Sequence, residues 1–218
     1  MYEKVLQAHK RYVINSDRVA RLMNLVMSNA GEMKPKSFMT YSGVSADIMR
    51  AIVVFLHATV EDLIRTQIPK NEKFTFQGRG DIEKAMKKIG RSAAPLRRLY
   101  NPLTQLARRR TQIVHYGDMP ANSSEPILDW DVSDVWCLLQ WNLAVNAFVY
   151  LLLEILTEPN DVYSTRYNAM FKAMDDHVVY GKLLTKFPKG DITAQQEALQ
   201  KMADQLTLVG ESLRAWKT

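Results

Sequence analysis

The sequence predicts an all-α fold in a single domain, on three observations. Glycine and proline are scarce, nine and eight among 218 residues; the helix formers Leu, Ala, Met, Lys and Arg are abundant; long alternating apolar/polar runs are few. With 47% hydrophobic residues the chain can bury a core of its own. No repeat, low-complexity tract or linker divides it. Residues 1–218 therefore read as one domain, with a core over about 1–157 and a C-terminal helical extension over about 158–218.

Hydrophobic periodicity and stop signals give the elements in order. A first helix is predicted over Tyr2 to Asn29, where Val5, Leu6, His9, Tyr12, Val13, Val19, Leu22, Met23 and Val26 recur near a helical period before Gly31 and Pro35. Ser45 is the expected N-cap of a second helix that runs to about Gln67, antiparallel to the first. That helix is apolar around much of its circumference and should be buried, which singles out its polar residues. His57, Glu61 and Arg65 repeat at i, i+4 and i+8, with Asp62 beside them. A solvent-facing salt-bridge ladder explains them at least as well as a functional role for Glu61 or Asp62.

In the connection from Lys70 to Gly80, KFTFQ alternates like a short strand. Phe74 and Phe76 fit a hydrophobic lid over the bundle better than a platform for unpaired RNA bases. A short basic helix follows over about Ile82 to Ile89. Asn101 then Pro102 form a strong start signal and Gly117 a stop, giving a helix over Pro102 to Tyr116. After an acidic loop (Asp118, Glu125, Asp129), a long helix is predicted over about Asp131 to Thr157. It has almost no polar face, so it is central or part of a subunit interface. Beyond Glu158 and Pro159, helices are expected over about Asp161 to Asp176 and Thr193 to Trp216, the second opened by a Thr193/Gln196 capping box.

The single Cys137 cannot form an intrachain disulfide, and MYEKVLQAHKRYV has no apolar run behind a basic patch. Leu143 to Leu156, interrupted by Asn146 and Glu154, reads as too short to span a bilayer. A cytoplasmic protein without a membrane partner is expected. His9, His57, His115 and Cys137 lack metal-ligand spacing, and there is neither a phosphate-cradling glycine loop nor a nucleophile elbow. No metal and no cofactor are therefore expected.

The net charge is +6, yet Arg79 to Arg110 holds ten bases against Asp81 and Glu83, a local +8 that leaves about −2 elsewhere. Such a segment suits an anionic partner, nucleic acid first, although on charge alone a solvated helical face is the simpler account. It leads into LARRRTQIVHYGDMP. There Leu103, Leu106, Ala107, Ile113 and Val114 set an apolar face, and Arg110, seven after Leu103, falls within it. Arg108 and Arg109 are expected to project to the flank and outward. His115 lies roughly 140° round the helix from Arg110 at about 100° per residue. The pair can converge only if the last turn opens near Gly117 or if a second copy of the chain completes a site. For His115 alone, a cation-capable residue at a helix C-terminus is the plain reading.

RRRTQIVHYGD resembles the Arg-x4-6-His signature of the HEPN superfamily, all-α domains of which many are metal-independent RNA endonucleases in toxin, phage-defence and CRISPR-associated systems. It is most similar to groups reading Arg-Asn-x-Ile-Val-His before a short acidic turn: Arg110 and His115 take the signature positions, Ile113 and Val114 the apolar step and Asp118 the turn. Thr111 stands where Asn is usual. The resemblance implies a cytoplasmic endoribonuclease acting on RNA as a homodimer with a composite active site, with an antitoxin or defence-system protein as partner. It implies His115 as general acid–base, Arg110 on the phosphate and Glu61 or Asp62 supporting Arg110, with Arg108, Arg109, Thr111 and Tyr116 touching RNA. Competing expectations are a non-catalytic HEPN module that holds RNA, a nucleotide or a protein, and a helical assembly protein with a chance motif.

Overall fold

The computed structural model describes residues 2–28, 40–41, 43–68, 74–119, 123–128 and 130–157. The helices expected beyond Glu158, the Gly31/Pro35 stop and Asp129 lie outside them. Within them the chain is all-α: α1 (Tyr2–Ser28), α2 (Val44–Arg65), α3 (Arg79–Lys88), α4 (Tyr100–Tyr116) and α5 (Val132–Thr157). One minimal antiparallel pairing joins β1 (Thr40–Tyr41) to β2 (Trp130–Asp131), Thr40 opposite Asp131.

Helix α1 buries Ala8, Tyr12, Val19, Met23 and Val26, at spacings that keep one stripe facing α2. Leu6 and Val13, expected in that stripe, are exposed instead. Arg11, early in α1, forms a two-pronged ion pair with Asp62, late in α2, at 2.7 and 3.0 Å, as antiparallel packing requires. Helix α2 begins one residue before the expected cap. Gly43, at φ 54°, makes the turn into Val44, and Ser45 lies inside the first turn.

Helix α2 touches α1, α4 and α5, which is why it is buried nearly all round, from Ala46 and Met49 through Ile52, Val53, Leu56, Val60, Leu63 and Ile64. It shares the centre of the bundle with α5. Much of the apolar circumference of α5, including Leu138, Val145, Phe148, Val149 and Leu152, is buried within the chain, as expected of a central helix. Cys137–Leu156 is long and apolar enough to cross a membrane by length and composition alone, which corrects the shorter span counted from Leu143. However, 67% of its most apolar window is buried inside the fold. Its polar notch is used internally: the Tyr12 hydroxyl donates to Asn146, and burial pushes that phenol's pKa up.

The stretch at residues 74–77 forms no strand among the described residues. It is an extended strip whose alternation survives as burial, Phe74 and Phe76 inward. Gly78, at φ 145°, turns this strip into α3 against α4, where an added Cβ would lie 2.6 Å from the Thr104 hydroxyl. Asp81 accepts the amides of Gln77 and Gly78 at 2.7 and 3.2 Å and so holds the entry to α3. A short 3-10 helix, Ala94–Leu99, runs straight into α4, so Asn101 sits in the first helical turn and is not the cap the sequence suggested.

Candidate functional site

Leu103, Leu106 and Ala107 bury the inner face of α4, and Arg110 continues that face one turn further, where the packed core gives way to a cleft. The helix end is loosened. The amides of Gly117 and Asp118 both reach back to the Gln112 carbonyl, and Gly117 is left-handed at φ 60°. With that opening and the length of the arginine arm, Arg110 Nη1 comes within 3.1 Å of His115 Nε2. The signature pair therefore meets inside one chain. A guanidinium has only donors, so in this contact His115 Nε2 can serve only as the acceptor.

The cleft, about 210 Å³, is lined by Val54, His57, Ala58, Glu61, Asp62 and Arg65 of α2 together with Arg110 of α4. Ala58 opens it by being small. Both expected acids thus share a cavity with Arg110, but neither forms an ion pair with it among the described residues. Asp62 turns to Arg11, and Glu61 is held by Arg65 at 3.2 Å. Direct support of Arg110 by a carboxylate is corrected accordingly: each acid is paired with another cation, Asp62 with Arg11 of α1 and Glu61 with Arg65 of α2.

His57 is the site residue that the sequence reading left in a surface ladder. It is only 3% exposed, packed against the Phe76 ring, and its Nε2 donates to the Phe76 carbonyl at 2.9 Å. The signal that could have found it was the largely apolar circumference of α2, which leaves only a narrow solvent-facing strip, taken by Ala58, Asp62 and Arg65. Burial lowers the His57 pKa, with nearby Arg110 acting in the same direction against the Phe76 carbonyl and Glu61. The 3.7 Å approach of Nδ1 to Glu61 is therefore not a salt bridge at neutral pH. Because the folded-state pKa lies below the ordinary 6.5, the unfolded chain takes up the proton first. The stability due to neutral His57 is complete above that value and is lost as pH falls through it toward the folded-state pKa. Denaturant midpoints should drop from about pH 7 to about pH 5.5, and drop less in His57→Gln. Parallel pH slopes in the two proteins would refute this.

The largest departure concerns Asp118 and Arg109. Asp118, expected in an acidic surface loop, is 2% exposed. It accepts Arg50 Nε at 3.0 Å and the Trp130 indole N–H at 3.0 Å, and pairs with Arg109 Nη1 at 3.1 Å. Arg109, expected outward as an RNA contact, has a side chain only 13% exposed and lies 4.5 Å over the Trp130 ring. Arg50 also donates to the Ile127 carbonyl, and the Ile127 amide returns to the Asp118 carbonyl at 2.9 Å. These bonds tie the end of α4, three residues past His115, to α2 and β2. Arg109 turns inward because Asp118, just past the end of α4, and Trp130 are folded under it.

The other expected contacts divide. Arg108, His115 and Tyr116 are exposed, Tyr116 at 58%. Thr111 is half-buried and its hydroxyl donates to the Ala107 carbonyl at 3.0 Å, so its donor is engaged within α4. In comparisons with protein-family models, curated proteins and solved structures, none matches the chain.

Proposed function

We propose that this chain is a HEPN-type, metal-independent endoribonuclease, acting as a toxin or in phage defence on single-stranded RNA. The observation that carries the reading is the 3.1 Å contact between Arg110 and His115 beside a cleft. A phosphate entering there takes over the Arg110 donors, for which a guanidinium fork is the natural partner. His115 Nε2 is then freed beside it with its lone pair available. It accepts the proton of the 2′-hydroxyl as that oxygen attacks phosphorus. The bond from phosphorus to the 5′-oxygen breaks, and the imidazolium returns a proton to that oxygen, leaving a 2′,3′-cyclic phosphate and a 5′-hydroxyl.

His115 is flanked by exposed Val114, Tyr116 and Met119, an apolar surround suited to a second copy of the chain that would bring a second Arg/His pair to the site. The decisive experiment incubates single-stranded RNA with the protein in EDTA and compares wild type with Arg110→Ala and His115→Ala. Cleavage by wild type alone is expected. Equal cleavage by all three would sink the assignment, and RNA bound but left uncut by wild type would favour the non-catalytic binding module.

A further inference from the structure

The chemistry above uses Arg110 and His115 and leaves the floor of the cleft without a task. Two acceptors face each other there. Since a carbonyl can only accept, the Phe76 oxygen fixes the proton of His57 on Nε2 and leaves Nδ1 as a bare lone pair. Opposite, Glu61 Oε2 stands 3.7 Å away, too far for a hydrogen bond, while Glu61 Oε1 is taken by Arg65. Among the described residues Nδ1 makes no hydrogen bond, and the 20% exposed side chain of Glu61 opens onto the same cavity. Two neighbouring acceptors lining an open cavity suit a small hydrogen-bond donor, and the remaining walls, Val54 and Ala58, are apolar enough to seat a sugar face.

We infer that this cleft is a ribose subsite, in which a non-reacting 2′-hydroxyl of the nucleotide adjoining the phosphate on Arg110 places its single proton between His57 Nδ1 and Glu61 Oε2, which share it as a bifurcated hydrogen bond. The inference rests on the proposed RNA-cleaving reading and adds to it a residue-level basis for preferring RNA to DNA, since the 2′-hydroxyl is the donor that DNA lacks. Phosphate contacts are common to both nucleic acids and cannot discriminate between them. The charged groups around the pair are Arg65 and Asp62 on α2, Arg11 on α1 through Asp62, and Arg110 on α4.

The test measures binding without cleavage. In a His115→Ala background, a single-stranded RNA and the DNA of the same sequence are titrated at fixed salt, alone and after adding Glu61→Gln or His57→Gln. A hydrogen bond to a carboxylate predicts RNA preferred by roughly 10- to 100-fold, with either substitution bringing the ratio toward one. Glutamine at 61 offers its amide to Nδ1 and closes the gap, and glutamine at 57 keeps volume and a donor toward Phe76 while removing the bare nitrogen. If Glu61 matters only through its charge, Glu61→Gln strengthens RNA and DNA equally and the ratio stays put, which overturns the subsite. Equal affinity for RNA and DNA before any substitution, or binding of neither, overturns it as well. Loss of EDTA-resistant cleavage in Arg110→Ala and His115→Ala is read separately, so the nuclease reading can survive failure of the subsite.

Discussion

Asp118→Ala is expected to lower the unfolding free energy by ~3–5 kcal/mol, because it strips the carboxylate from two largely buried guanidinium groups. Arg50 and Arg109 are 19% and 13% exposed, and the Trp130 indole N–H loses its acceptor at the same stroke. Asp118 also sits at φ 63°, a left-handed conformation that Asp and Asn tolerate better than Ala. Asp118→Asn keeps that tolerance and one acceptor, so its loss should be smaller. Urea denaturation followed by Trp fluorescence checks the order wild type, Asn, Ala. An alanine variant as stable as wild type would show that the Arg50–Asp118–Arg109 cluster does not hold the end of α4.

On the proposed ribonuclease reading, substituting His115 or Arg110 by alanine should lower the cleavage rate by about 100- to 10,000-fold, the range for removing a positioned proton-transfer group or a principal phosphate contact. His115 is exposed, so its removal should leave stability within about 0.5 kcal/mol of wild type and separate the catalytic effect from folding. Arg110→Lys is the sharper probe. It keeps the charge but loses the fork, and should recover binding far more than rate. Single-turnover rates at saturating protein, with thermal midpoints measured alongside, decide this. A lysine variant with wild-type rate would mean that Arg110 contributes charge alone.

Much of the fold was legible in the sequence because helix positions are set by local signals. The stripe through Tyr12, Val19, Met23 and Val26, the glycine stop at Gly117 and the apolar run of α5 each lie within one element. The starts of α2 and α4 were misplaced because Ser45 and Asn101 are cap-type residues in first turns, whereas Gly43 and a continuous 3-10 lead-in make the actual entries. Burial of Phe74 and Phe76 followed from their alternation, but the bond that joins the Phe76 carbonyl to His57 did not.

LARRRTQIVHYGDMP by itself determined which residue types stand together: an arginine on an inner face, a histidine in the last turn and a glycine after it. Only the tertiary structure decided which arginine faces which partner. Arg109 and Arg110 are adjacent, and a step of about 100° sends one to Asp118 and Trp130 and the other into the cleft beside α2. The convergence of Arg110 with His115 likewise depends on the loosened last turn and the reach of a long side chain, neither of which residue spacing specifies. Side-chain direction is a property of the whole packing, since Asp118, nine residues past Arg109, is turned to meet its guanidinium only because Arg50 of α2 and Trp130 hold that carboxylate in place.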